Sequence, residues 1–284
     1  MPRLNWFFSA IAAASFSMVA LPVGAQALLP YGLQLDAEEL EQQGIALFQD
    51  ALQLVQIGQY ELALPRAELA VQLAPNTYET WFVLGTLYVQ QKELDKGIEI
   101  LLKARSLAPE EAGIFFTLGS AYFQKGEYNK AVREIEAGLN IEPEALEALF
   151  DLGNSYMMLG RYPESIAAYE RAIARDEEFW PAVNNIGLVE YERGDPQAAI
   201  RYWRAAASLE PKAAEPQLAI AVALFARGNT QEGLRLGEAA LSLDRKYAEI
   251  AFLQENLWGD RLIADARLFL ETPQIQAFIA RFNN

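Results

Sequence analysis

Residues 112–145 read AGIFFTLGSAYFQKGEYNKAVREIEAGLNIEPEA, and the fold follows from this stretch outward. Phe115, Leu118, Gly119 and Tyr122 fall on one stripe of a helix, spaced at three and four residues. After Gly126, Ala131, Ile135 and Gly138 form the stripe of a second helix, and Pro143 stops it. Two amphipathic helices of about a dozen residues are thus joined by a glycine turn. The small residues Gly119 and Ala131 let the two backbones approach closely.

The same pattern recurs along the chain at a fixed period. Pro75, Pro109, Pro143 and Pro211 are separated by 34, 34 and 68 residues, with Glu177 at the skipped position. Leu84, Leu118, Leu152 and Ile186 share that spacing, as do Gly85, Gly119, Gly153 and Gly187, and Tyr88, Tyr122 and Tyr156. Small residues follow downstream: Ala63, Gly97, Ala131, Ser165 and Ala199, then Ala70, Ala104, Gly138, Ala172 and Ala206. Gly58, Gly126, Gly160, Gly194 and Gly228 supply the turns, where positive φ costs glycine little. Six consecutive units without insertion result: 44–77, 78–111, 112–145, 146–179, 180–213 and 214–247.

A strict 34-residue period with these residues resembles the tetratricopeptide-repeat (TPR) family. The resemblance implies an all-α, right-handed TPR solenoid of six helix-turn-helix repeats, whose atypical end units act as caps. Asp36 and Glu39 form a capping box that starts a long first helix, so residues 28–43 are a linker and the start of that helix. Residues 248–284 break the period yet keep clustered apolar residues, among them Leu257, Trp258, Leu262, Phe269, Ile275 and Phe278. They are expected to form two or three short helices closing the last repeat as a helical C-terminal cap, the final one starting at Pro273.

Composition narrows the function. The chain has 284 residues and a formal net charge of −15, a balance that opposes binding of phosphate backbones; no nucleic-acid partner is expected. It has no Cys and no His, which removes thiol nucleophiles, Cys/His zinc sites and histidine general bases. Glu110/Glu111, Glu134/Glu136 and Glu177/Glu178 read as solvated surface rather than as acid–base pairs. No phosphate cradle, nucleophile elbow or calcium loop occurs, so neither catalysis nor a cofactor or metal is expected. Without histidine, stability is expected to vary little between pH 5 and 8.

Arg3 precedes the uncharged stretch LNWFFSAIAAASFSMVAL at 4–21, which Pro22 and Gly24 break before Ala25-Gln26-Ala27. Residues 1–27 therefore read as a cleaved signal peptide or as a membrane anchor. Either reading puts the chain outside the cytoplasm, in a periplasm or thylakoid lumen, or anchored to the plasma or thylakoid membrane.

The TPR resemblance also implies a binding surface on the concave face, lined by the second, fifth, ninth, twelfth and thirteenth residues of each unit. Carried onto this chain, it designates Phe48, Phe82, Thr86, Phe116, Ser120, Phe123, Phe150, Asn154, Asn184 and Tyr191 as partner-binding residues. No Lys or Arg occupies any of those positions, so the chaperone-type clamp for a terminal carboxylate is absent. The phenylalanines either face a ligand or pack between neighbouring repeats. The expected partner is an apolar peptide or helix segment of another protein, and self-association is the alternative. The signal-like start, the uninterrupted repeats and the ending around Leu257-Trp258-Gly259-Asp260 resemble cyanobacterial and chloroplast TPR proteins. That resemblance implies a thylakoid role in photosystem assembly or in binding protochlorophyllide oxidoreductase.

Overall fold

The computed structural model describes residues 36–281; the signal or anchor segment and the linker before Asp36 lie outside the described residues. Six helix pairs follow one another: α1 (Ala37–Gln56) with α2 (Tyr60–Leu73), α3 (Tyr78–Gln90) with α4 (Leu94–Leu107), and α5 (Ala112–Gln124) with α6 (Tyr128–Ile141). Then come α7 (Leu146–Met158) with α8 (Tyr162–Arg175), α9 (Trp180–Glu192) with α10 (Pro196–Leu209), and α11 (Ala214–Ala226) with α12 (Thr230–Leu243). The pairs are antiparallel and each second helix also packs on the next first helix, which is the stacking of a TPR solenoid. Successive first helices touch one another from α1 to α9, so they form the inner face. No helix among the described residues is long and apolar enough to cross a membrane.

The repeat residues do the structural work their sizes suggest. A Cβ on Gly85 would lie 3.2 Å from the Gly97 carbonyl and 2.7 Å from the Leu101 side chain, so the first and second helices meet at backbone distance. In later units the ring of Tyr169 presses on Gly153 and that of Trp203 on Gly187, each a large residue filling the space a small one leaves. The helices α2, α4, α6 and α10 stop two residues before their proline. Helix α8 stops at the same register before Glu177 without one. There the Asp176 carboxylate accepts the Glu178 N–H at 2.9 Å and closes the turn.

The turn inside each repeat needs one residue in the left-handed region. Gly58, Gly126, Gly160, Gly194 and Gly228 have φ between 69° and 89°, but in the second repeat the position belongs to Lys92, at φ 64°. A side chain there costs about 1–2 kcal/mol in steric strain, partly offset because glycine loses more chain entropy on folding. Lys92→Gly should therefore stabilise the chain by up to about 1 kcal/mol. Thermal melting checks this; a lower midpoint would mean that the exposed Lys92–Gln124 hydrogen bond (2.8 Å) outweighs the strain.

After the sixth pair come a 3-10 turn (Arg245–Ala248) and the helices α13 (Ile250–Glu255), α14 (Asp260–Leu270) and α15 (Pro273–Ala280). Helix α15 packs on α12, as a cover over the end of the stack does. Helix α14 corrects the sequence expectation: it lies on α11 and α9, two first helices, and so occupies the inner face. The cause is α11 itself. Its sequence AEPQLAIAVALFA is apolar apart from Glu215 and Gln217, and every residue but Gln217, Phe225 and Ala226 is buried. A helix of that kind must be covered on its inner side too.

Candidate functional site

The first helices carry the candidate residues, and α14 divides them into two groups. Phe48, Phe82, Phe116 and Phe150 recur at one position of α1, α3, α5 and α7, each half-buried and each packed by one edge against the core. Phe116 lies against Gly138, and Phe150 meets the Tyr169 ring at 5.7 Å and the Phe179 ring at 5.3 Å. The phenylalanines are thus both core and surface: Phe116 and Phe150 pack within their own repeats, against the second helix or the closing turn, while part of each ring remains exposed. Phe123 is half-buried against Tyr128, with ring centroids 5.3 Å apart.

Between the second and third repeats the inner face holds an open cleft of about 390 Å³, lined by Thr86, Val89, Gln90, Phe116, Ser120 and Gln124. Thr86 donates its hydroxyl hydrogen to the Phe82 carbonyl at 2.8 Å, which leaves its oxygen free to accept. Gln124 donates weakly to Ser120 at 3.4 Å. Lys92 adds a basic residue to this wall from the turn, a position that the repeat register of the first helices does not include.

The second group is closed by the chain itself. Tyr191 is 4 % exposed, which corrects the expectation that it lines an open groove, whereas Asn184, itself buried, borders a cleft beside Phe150 and Trp180. The Tyr191 hydroxyl donates to Asp265 of α14 at 2.6 Å. Glu192 accepts the backbone N–H groups of Arg261 at 3.2 Å and Leu262 at 3.0 Å. Gly259, at the start of α14, has no side chain to cap that helix, so a carboxylate from α9 satisfies its first donors. Trp258 donates its indole N–H to Glu215 at 3.0 Å.

Asn154 is 8 % exposed and belongs to a buried chain of amides. Its side-chain oxygen accepts from the Tyr169 hydroxyl at 2.7 Å and from Asn185 at 2.9 Å, while Asn184 donates to Asn185 at 3.1 Å. Two carboxyls on this side of the groove are displaced from their ordinary range. Burial pushes Glu215 up to about 7 against the hydrogen bonds from Trp258, Asn184 and Tyr247. Burial, with the Glu147 charge added, pushes Asp151 up to about 6. Neither carboxyl was singled out as perturbed from the sequence. The available signal was an acidic residue in a helix otherwise apolar all round, which is what Glu215 is.

A family model described as tetratricopeptide repeat matches residues 116–178 and 184–249. One described as ChAPs (Chs5p-Arf1p-binding proteins) matches 32–106. No curated protein matches the chain in sequence. Among solved structures, a MamA protein is 25% identical with a TM-score of 0.55, over 61% of this chain and 94% of that one. YrrB, titled a TPR protein with an unusual peptide-binding site, is 19% identical with a TM-score of 0.53, over 61% and 90%. PilF from Pseudomonas aeruginosa is 16% identical with a TM-score of 0.59, over 86% and 99%. At 19% and 16% identity the last two likenesses concern the fold alone.

Proposed function

We propose, for a chain that is a tetratricopeptide-repeat protein, that the open inner face of its first four repeats binds an apolar segment of another protein. The reading is that of a non-catalytic scaffold which aids assembly of a membrane-associated complex. The observation that carries it is the row of half-buried Phe48, Phe82, Phe116 and Phe150 beside the open cleft at Thr86 and Ser120. Partly exposed rings on a rigid frame offer apolar area at little cost in ordering, and acceptors such as Thr86 Oγ1 fix register. Residues 1–27, by this reading, deliver the scaffold across a membrane or hold it there. The cyanobacterial and chloroplast resemblance makes a thylakoid assembly role its most specific form.

Ser120→Arg tests the groove without removing any core contact, because Ser120 is half-buried in the cleft wall. Interface hot spots contribute ~2 kcal/mol or more, so capture of a partner recovered with the wild-type chain should fall at least about tenfold. The melting temperature should stay within a degree or two of wild type by the usual scale of surface changes. Phe116→Ala should weaken both capture and stability, since that ring serves both. Capture unaffected by either change would move the binding surface off the inner face.

A further inference from the structure

Where α7, α9 and α11 converge under the 3-10 turn and α13, a second cleft of about 300 Å³ opens, lined by Phe150, Trp180, Asn184, Glu215, Tyr247 and Glu255 among others. Its chemistry is one-sided. Both charged side chains lining it are carboxylates, and no Lys or Arg lines it. Glu215 is 7 % exposed and already receives hydrogen bonds from Trp258, Asn184 and Tyr247, all of them neutral donors. Asn184 spends its amide N–H groups on Asn185 and Glu215, and its carbonyl Oδ1, fully buried, has no hydrogen-bond partner. An orphaned acceptor and a carboxylate without a counter-charge therefore stand side by side in one cleft. Both are costly in a low-dielectric site, and both are relieved by the same guest: a cationic group with several N–H donors.

We propose that this cleft is a binding site for a guanidinium or ammonium side chain. In the reading above, on which this inference rests, it is an Arg or Lys at the end of the apolar segment held in the groove. Three features support that class of ligand. The Glu215 carboxylate supplies the charge, and the unpartnered Asn184 carbonyl, on a residue that lines the same cleft, is a second acceptor beside it. The rings of Phe150 and Trp180 line the wall, where a cation over an aromatic face is attracted. Phe150 is shared with the phenylalanine row, so a side chain seated here is continuous with a segment lying along the first four repeats. A carboxylate or phosphate ligand is disfavoured because it would meet two acidic side chains and no basic one.

The test, run at about pH 8 where the Glu215 carboxyl is mostly ionised, uses the full chain with N-acetyl-arginine amide and its neutral isostere N-acetyl-citrulline amide as probes, followed by calorimetry and by the Trp258 indole N–H resonance. The arginine probe should saturate and shift the Trp258 signal. The citrulline probe should bind roughly 10- to 100-fold more weakly, the scale of one hydrogen bond to a charged group. Glu215→Gln, similar in shape and still able to accept from Trp258, should abolish the difference between the two probes. Equal binding of both probes, or binding of arginine that leaves the Trp258 signal in place, overturns the proposal; the wild-type comparison decides it even if the variant folds poorly. The single-residue probes do not extend to Ser120, so Ser120→Arg should leave their affinity unchanged. Loss of partner capture in that variant with probe binding retained supports both readings. Retained capture with retained probe binding removes the groove reading and leaves the cation site standing.

Discussion

A chain ending at Tyr247 should lose the fold of its fifth and sixth repeats while the first four stay helical. Truncation there removes the buried side chains Leu253, Trp258, Leu262, Ile263, Phe269, Leu270 and Ile275. At ~1.5–3 kcal/mol for each large apolar side chain fully buried, their loss is on the order of 10–20 kcal/mol. That equals or exceeds the ~5–15 kcal/mol by which most domains are stable. It also uncovers Leu188, Leu218 and Val222, which are almost completely buried in the intact chain. Stacked repeats communicate mainly with their neighbours, so the damage should be confined to the C-terminal end. Hydrogen exchange resolved by segment is the measurement. Protection should vanish from α9 to α12 and persist from α3 to α6. Uniform protection, with a melting temperature within a few degrees of the intact chain, would show that α14 is an appendage instead of part of the stack.

The second large effect is a pH dependence that the histidine-free composition does not suggest. Glu215 is raised from 4.5 to about 7 and Asp151 from 3.8 to about 6, both by burial first. Each carboxyl holds a proton more tightly in the folded chain than in the unfolded one. The stability they lend is therefore fully present below their unfolded range near ~4 and is lost as pH rises through about 6 for Asp151 and about 7 for Glu215. At ~1.4 kcal/mol for each tenfold change in proton affinity, Glu215 alone accounts for about 3 kcal/mol. The midpoint of thermal unfolding should accordingly be about 5–10 °C higher at pH 5 than at pH 8.5. Exposed pairs such as Arg161–Glu164 lower their carboxylates and oppose the trend, but at the surface they contribute little. Glu215→Gln should flatten most of the slope by raising the high-pH midpoint. A slope unchanged in that variant would assign the effect to Asp151 or to the general negative charge of the chain.

The repeats were legible because one residue type at one register implies one contact. A glycine at 85, 119, 153 or 187 faces the second helix of its pair, and the aromatic residue that fills the gap, Tyr169 or Trp203, sits at a fixed distance along the chain. The inner face of the first four repeats was legible for the same reason, since Phe82 and Phe116 occupy the positions that the period assigns. The division of that face was not. Residues 248–284 lie outside the period, and short apolar clusters such as Leu262, Ile263 and Phe269 announce burial without naming the surface they bury against. The partner surface did carry a signal in α11, whose sequence is apolar apart from Glu215 and Gln217. Lys92, in a turn that five other repeats fill with glycine, showed in the sequence only as a missing glycine.

Helix α14, seated on α9 and α11, also makes the inner channel a blind alley. An open superhelical groove lets a polypeptide run through it in either direction and for any length. Here a segment bound as proposed, running past Phe82, Phe116 and Phe150, would reach α14 on α9 and α11 and have to stop or turn outward. The reach of the channel then acts as a ruler. On the binding mode proposed above, a partner's recognised sequence is expected to lie at one of its own termini or to end at a bend.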